Sequence, residues 1–399
     1  KPFSAEDVIG TINYHISEES KSALRSILKN IKEMKADSPH RIIFTLAEPN
    51  AHFPFLMTSL PIDPIKDGKP YDFRNGTGSY VLKEFEPGIR TIFERDPNKW
   101  EDHVGFFDSA EAVPLIDTAS RQNALVTGEV DLINRPDRKT WKRLASAKGV
   151  VVVQYPGRLH RTWPMHVDTA PYDNNDVRLA LKYAVDRDEL NEKILSGTGS
   201  VGNDHPISPA YAYFNSELPQ RTYDPDKAKF HLKKAGMENL TVTLSTSEGI
   251  WPGAVDAATL YSESAAKAGI DLKINKVPND GYWANIWLKH PFCASYWSGR
   301  PTEDWMFTSG YAAGGSWNES RWAHPRFNEL LKAARGELDE NKAREMYWEM
   351  QQLCSDEGGS VIPLFADWLD AHSDKLAHGE LKSNRELDGL RPIRRWWFV

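Results

Sequence analysis

Short strand-forming runs alternate with helical stretches along most of this sequence, and that alternation constrains the fold more than any other feature. Runs 79–84 and 89–94 flank a Pro-Gly turn and predict a hairpin. Runs 241–245 and 271–276 predict strands on either side of a helix over 254–268, and polar caps such as Ser4 and Asp224 open other helices. Further strands are predicted at 113–117 and 361–366. The pattern predicts an α/β protein.

Length and charge further limit the number of lobes and the kinds of partner that this chain can have. At 399 residues the chain exceeds the roughly 250–300 residues at which single cores stop growing, so we expect two lobes. Forty-nine basic and 56 acidic residues give a net charge of −7 without a basic block, which disfavours nucleic acid as a partner. The longest apolar runs, such as residues 150–153, fall far short of the roughly 18–20 residues that span a bilayer.

The sequence contains two cysteines, Cys293 and Cys354. They are too few for a disulfide scaffold or for a zinc site of four thiolates. Cys354 lies on an apolar stripe with helical spacing, as a buried thiol would. Two buried thiols and a single disulfide are therefore the two alternatives. We expect no cofactor.

Several motifs approach catalytic or cofactor signatures without completing them. The G-x-G-x-x-G run over 197–202 follows a helix instead of a strand, which favours a loop over a nucleotide site. Gly-Gly-Ser ending at Ser316 lacks the last glycine of a nucleophile elbow. His160 and His166 lack metal-site spacing, and Glu303 and Asp304 are typical of capping or solvated acids. A hydrolase that uses Ser316 or an Asp/His pair is the rival class, without a complete triad.

Tryptophan is concentrated in one part of the sequence: seven of 14 fall between residues 251 and 322. Within this segment a predicted strand carries Tyr296 and Trp297, and Gly299 and Pro301 then interrupt it beside Arg300. Aromatic walls around one cation are typical of a small-molecule pocket. The alternative is a core strand that runs into a loop, with Trp297 packed and Arg300 solvated.

Four segments, in order, resemble one family. They are PFSAEDV at 2–8, GTGSY at 76–80, DVRLALKYAVDR at 176–187 and YDPDKAK at 223–229. Together they resemble the family 5 extracellular solute-binding proteins, the peptide/nickel-type periplasmic receptors of ABC importers. The resemblance implies a receptor and not an enzyme, periplasmic and monomeric, that closes on a small-molecule or peptide-like ligand and delivers it to an ABC permease in the inner membrane.

The implied fold is a bilobal periplasmic-binding-protein clamshell of the large-lobed peptide-receptor type. Lobe I would hold residues 1–164, with 362–399 returning to it, and lobe II residues 165–361. The family carries an export signal and a further N-terminal part of lobe I, which we expect to be absent from this chain. The ligand would lie between the lobes.

One departure from the family pattern suggests a ligand class. Peptide receptors of the family place an aspartate after W-x-G, where it pairs with the peptide amino group, whereas this sequence has Arg300. A guanidinium suits a carboxylate or phosphate. We therefore expect a peptide-like, opine-like or sugar-acid ligand with an anionic group. The expected ligand contacts are Trp297, Arg300, Trp305, Tyr296, Trp163 and His166. A metal- or haem-cargo receptor of the same family is the alternative.

Overall fold

A computed structural model describes residues 2–20, 22, 24–58, 60–72 and 74–399. Its backbone contacts divide the chain into two compact units. Unit 1 comprises residues 1–131, 373–380 and 391–399, and unit 2 comprises 132–372 and 381–390. The lobe boundary predicted at 164/165 lies at the end of one continuous strand, Val150–Pro164, within unit 2. The ranges of the two lobes stay a prediction.

The first segment of unit 1 contains, in chain order, α1 (Ala5–Ile16), α2 (Arg25–Leu28), β1 (Ile31–Ser38), β2 (Arg41–Leu46), α3 (Phe53–Met57), β3 (Ile65–Lys66), β4 (Lys69–Pro70), β5 (Tyr80–Glu86), β6 (Arg90–Arg95), β7 (Ser109–Ala112) and α4 (Thr118–Thr127). Its sheets are antiparallel, and β7 extends the β5–β6 hairpin. Its small core includes Ile12, Leu28, Ile31 and Leu60.

The next segment contains β8 (Leu132–Asn134), α5 (Trp141–Ala145), β9 (Val150–Pro164), α6 (Asn175–Tyr183), α7 (Arg187–Leu195), β10 (Gly199–Val201), α8 (Pro225–Lys234), β11 (Leu240–Thr246), α9 (Ala254–Ala266), β12 (Ile270–Lys276), α10 (Tyr282–Asn285), β13 (Ser295–Trp297), α11 (Glu303–Gly310), α12 (Pro325–Gly336), α13 (Glu340–Glu357) and β14 (Ser360–Ser373). Strands β10, β14, β9 and β13 form a sheet in that order, with β8 also on β14. Strands β11 and β12 pair in parallel, and α9 connects them.

The chain then ends with β15 (Leu376–Ala377), α14 (Glu386–Leu390), α15 (Pro392–Arg395) and β16 (Trp397–Phe398). Strand β16 pairs with β15 in unit 1. Its two aromatic residues meet the segment before β7: the Phe106 and Trp397 rings lie 5.9 Å apart, and the Phe107 and Phe398 rings 5.3 Å apart. The last residues of the chain thus complete an aromatic contact with residues nearly 300 positions earlier.

The main sheet of unit 2 is buried on both faces, because a separate apolar core covers each one. Leu159 and Trp163 of β9 belong to one cluster, whereas Trp297 of β13 and Phe365 of β14 belong to the other. We call these core A and core B. Since side chains alternate between the faces of a strand, neighbouring residues on β9 and β13 enter different cores.

Most predicted elements are confirmed, including the 79–94 hairpin and the helices capped by Ser4 and Asp224. The strand predicted at 113–117 is wrong: the strand occupies 109–112, and the following residues lead into α4. The last predicted strand, 361–366, is the start of a longer one, β14. Cys293 and Cys354 are both free and buried, so the thiol alternative is confirmed. Among the described residues, no helix combines the length and apolar character that crossing a bilayer requires.

Candidate functional site

All six predicted ligand contacts lie in unit 2, but on both sides of its main sheet. Strand β13 pairs with β9 so that Tyr296 lies opposite Arg161, and Trp297 lies opposite His160. Tyr296 packs against core A, whereas Trp297 is part of core B. The two adjacent aromatic residues therefore cannot form one wall of one pocket.

Trp297 is held in core B through its indole N–H, which donates a 2.9 Å hydrogen bond to Glu319 Oε2. The same carboxylate accepts from Trp287 Nε1 at 2.5 Å and from the Ser295 hydroxyl. Burial raises the pKa of Glu319, and these donors only partly oppose that rise. Gly310 allows the close packing, because a Cβ there would lie 2.9 Å from the Trp297 ring. Glu319, which accepts hydrogen bonds from both indoles, was not predicted from the sequence as part of the site.

Arg300 follows β13 and lies against the ring of Trp297, with Cζ 5.2 Å from the ring centroid. Its Nη1 donates to the carbonyl of Ser298 at 3.1 Å, and its backbone N–H donates to Tyr211 Oη at 2.9 Å. Burial lowers the pKa of Arg300, although the Tyr211 hydroxyl opposes this. In the part of the chain that the structure describes, no carboxylate pairs with this guanidinium. Its positive charge is therefore without an internal counter-ion.

The other three predicted contacts differ in what they can offer. Trp305 is half-buried in the first turn of α11, and its backbone N–H bonds to the Thr302 hydroxyl that caps the helix. Trp163 is 1% exposed and stacks on Tyr261 at 4.6 Å within core A. His166 is also buried, and burial lowers its pKa to about 4. The structure brings Trp297 and Arg300 together, and it places Trp163 in the interior.

Arg161 is a candidate binding residue that the sequence analysis missed. It is 7% exposed on β9, and its Cζ lies 4.8 Å from the Trp251 ring and 5.8 Å from the Tyr296 ring. Burial lowers its pKa to about 9, and the nearby Arg138 and Arg135 contribute in the same direction. A charged residue two positions before the aromatic core residue Trp163, and therefore on the same face of a buried strand, was the available signal.

The groups considered for catalysis or metal binding have structural partners or lie apart. Glu303 accepts from the backbone N–H of Tyr213 at 2.7 Å, and Asp304 accepts from Arg335 Nε at 3.0 Å. Burial lowers the pKa of His160 to about 3, and Ser316 is exposed. Within the described ranges, no three His, Cys, Asp or Glu side chains come together in a way that could hold a metal ion.

Comparisons with known proteins agree with this architecture. The family model for bacterial extracellular solute-binding proteins, family 5 Middle, matches residues 1–319. A dipeptide-binding protein of Pseudomonas aeruginosa is 25% identical over 374 residues, which cover 88% of this chain and 69% of that protein. The chain spans about two thirds of the length of the curated relatives it matches, 65% to 69% in three of them.

Solved structures share the fold at low identity. The ABC transporter-associated periplasmic binding protein DppA from Helicobacter pylori, in complex with the peptide STSA, superposes with a TM-score of 0.83 at 22% identity, covering 99% of this chain and 82% of that one. AgaA from A. tumefaciens R10, in complex with agropinic acid, gives 0.83 at 19% identity, covering 100% and 84%. The predicted fold class, a bilobal periplasmic-binding-protein fold of the peptide-receptor type, is confirmed.

The functional class follows from the family match and the relatives. The matching proteins are named for binding and transport, and the family consists of binding receptors, not enzymes. The prediction of a non-enzymatic solute-binding protein is therefore confirmed, and a hydrolase is disfavoured. This chain belongs to family 5 of the bacterial extracellular solute-binding proteins.

Proposed function

We propose that this chain is the substrate-binding receptor of an ABC importer and that it captures an organic solute with an anionic group for delivery to a membrane permease. The family match supports the receptor role. One structural neighbour was solved with a peptide and another with agropinic acid, so this fold accommodates peptide and opine ligands in other proteins. A periplasmic, monomeric receptor with a permease partner is part of the same proposal.

The proposal of an anionic ligand rests on the surroundings of the Arg300 guanidinium. Its guanidinium lies on Trp297 and has no carboxylate partner among the described residues. A partly buried, unpaired cation beside an aromatic ring suits a ligand that brings its own carboxylate or phosphate. The half-buried Trp305 would supply apolar contact and Arg300 the charge, while the enclosed ring of Trp297 would hold the guanidinium in place. Trp163 and His166 are not carried into this site, because both side chains are enclosed in the unit.

The test begins with protein purified from its native host without refolding. Native mass spectrometry of that sample identifies any retained solute, and metal analysis of the same sample tests the alternative of metal or haem cargo. The identified solute is then titrated by calorimetry against the native chain and Arg300→Ala. A charge-assisted hydrogen bond is worth about 1.5–3 kcal/mol, so we expect affinity to fall at least about tenfold.

Arg321→Ala is the matched control, because Arg321 belongs to the same unit but is exposed and already pairs with Asp168 at 3.2 Å. Its affinity for the solute should stay within about twofold of the native value. If Arg300→Ala also binds within twofold of the native chain, Arg300 does not contact the anionic group, and this ligand assignment fails.

A further inference from the structure

Arg161 is enclosed in unit 2 without a hydrogen-bond acceptor. The side chain is 7% exposed, and its Nε is completely buried without a partner. Across the described ranges of the chain, no carboxylate or carbonyl accepts from its guanidinium. Its terminal nitrogens are not among the fully enclosed unpaired atoms, so they keep some contact with solvent.

Two aromatic rings cover the guanidinium. Trp251 lies 4.8 Å from Cζ, and Tyr296, directly across the β9–β13 pair, lies 5.8 Å away. Aromatic rings stabilise a cation through their faces, but they accept no conventional hydrogen bond from its N–H groups. All of these N–H groups lie in the guanidinium plane and point outward. An acceptor would therefore have to approach along that plane.

Trp251 adds a second unsatisfied donor. Its indole Nε1 is enclosed and has no acceptor among the described residues. The group around Arg161 therefore has two enclosed donors without acceptors, Arg161 Nε and Trp251 Nε1, beside positively charged terminal nitrogens that keep some exposure. Leaving buried donors unpaired is costly, and native proteins retain few of them. Such a set matches a group that only accepts hydrogen bonds and carries negative charge.

The same unit shows how a structural arginine is satisfied. Arg138 is half-buried, and its Nη1 donates to the carbonyl of Thr198 at 2.7 Å and its Nη2 donates to the carbonyl of Asp367 at 2.5 Å. The fold can therefore supply backbone acceptors to a partly buried guanidinium. At Arg161 it supplies none, and this contrast indicates that the acceptor comes from outside the chain.

We propose that Arg161, assisted by Trp251, anchors an oxyanion of the bound solute. The proposal rests on the proposed receptor function and adds a subsite that is separate from Arg300. Arg161 shares a face with Tyr296 and core A, whereas Arg300 lies on Trp297 of core B. A carboxylate or phosphate would take the in-plane N–H groups of Arg161, with the rings holding the guanidinium flat.

Fluorine NMR tests this anchor with simple probes. The full chain is labelled with 5-fluorotryptophan, and the Trp251 signal is assigned by its loss in Trp251→Phe. Sodium succinate and sodium phosphate are titrated in separate arms, with succinamide and sodium chloride at matched ionic strength as controls. We expect a saturable shift of the Trp251 signal with at least one oxyanion and none with the controls. The two arms distinguish a carboxylate site from a phosphate site.

The variants then locate the site. Arg161→Gln should weaken binding of the effective oxyanion at least tenfold, whereas the exposed-arginine control Arg321→Gln should stay within twofold of the native chain. The absence of a saturable shift with either oxyanion overturns the proposal. So does an Arg161→Gln response within twofold of the native chain.

The affinity of these variants for the retained solute distinguishes the proposed role of Arg300 from the proposed anchor at Arg161. If its affinity falls in Arg300→Ala but not in Arg161→Gln, the proposed function stands and the Arg161 anchor is overturned. If it falls in Arg161→Gln but not in Arg300→Ala, the anchor stands and the role of Arg300 in the proposed function fails.

Discussion

Unit 2 buries charged groups in two contrasting ways, around Asp204 and around Arg161. Asp204 is 1% exposed, and its two oxygens each accept from Arg187 Nη2 at 2.8 Å, while Arg221 Nε donates at 3.0 Å. Arg161 is almost as enclosed, but it has aromatic faces in place of acceptors. The buried charge of Asp204 is thus neutralised by two arginines, whereas the buried charge of Arg161 has no counter-ion among the described residues.

The titration behaviour of the two regions differs accordingly. Burial alone would raise the pKa of Asp204, but Arg187, Lys182 and Arg221 hold it below its ordinary value. For Arg161, burial lowers the pKa to about 9, Tyr296 opposes this only in part, and no carboxylate among the described residues pairs with the guanidinium. The lesson is that a buried charge does not by itself indicate function; a buried charge without a partner does.

The largest effect is expected at Asp204. Asp204→Ala leaves Arg187 and Arg221 buried without their shared anion, so the free energy of unfolding should fall by about 3–5 kcal/mol. Urea denaturation followed by circular dichroism measures this loss. The control is Asp356→Ala, which removes another partner of Arg221 at 3.2 Å, but one whose side chain is 53% exposed. The control should lose no more than about 1 kcal/mol, and equal losses in both variants would remove the distinction between enclosed and exposed partners.

An intermediate effect is expected at Asp370, an enclosed acid whose hydrogen-bond partners among the described residues are neutral. It accepts from Tyr155 Oη at 2.6 Å and from the backbone N–H of Leu387 at 2.7 Å. Burial raises its pKa from 3.8 to about 6. Between these values the folded chain holds a proton that the unfolded chain has lost, so the free energy of unfolding should fall as pH rises through this window.

The size of this pH effect is on the order of 2–3 kcal/mol, fully present below the lower pKa and lost above about pH 6. Urea denaturation at several pH values compares the native chain with Asp370→Asn, which cannot titrate. The variant should show a flatter profile across this window. An identical slope in both proteins would mean that Asp370 is already ionised throughout.

The smallest effect, and the one with an unusual sign, is expected at Arg161. Arg161→Met replaces an unpaired buried cation by an apolar side chain, so the free energy of unfolding should stay the same or rise by about 1 kcal/mol. Arg138→Met is the matched control and should lose about 1–3 kcal/mol, since two backbone carbonyls lose their donors. Parallel chemical denaturation measures both. A loss of more than about 1 kcal/mol in Arg161→Met would assign Arg161 a structural role.

Local signals made much of the fold predictable. Capping residues such as Ser4 and Asp224, and the terminating Gly128 with φ of 76°, act within one helical turn, so their effect is visible in a short stretch of sequence. The error at 113–117 has a physical cause: that run is apolar, but the strand pairing with β6 is made by the smaller residues 109–112. Sheet order was beyond local signals, because β14 gains its neighbours from segments far away in the sequence.

The site was predictable only in part. Arg300 was singled out as one cation among aromatic residues and by its departure from a family pattern. It lies against Trp297, and its contact with a ligand stays a prediction. The period of two along β13 already implied that Tyr296 and Trp297 face opposite sides, but grouping them by composition hid this. To identify Arg161 from the sequence, one would have to know that both faces of β9 are buried. That burial depends on the whole sheet.

The interleaving of the two units has a consequence during synthesis. All residues of unit 2 precede position 391, whereas unit 1 also uses residues 391–399. A chain emerging from a ribosome could therefore assemble unit 2 first, while Phe106 and Phe107 still await Trp397 and Phe398. Until the codons for Trp397 and Phe398 are read, that aromatic surface stays uncovered, and a premature stop before them would leave it open to chaperones and proteases.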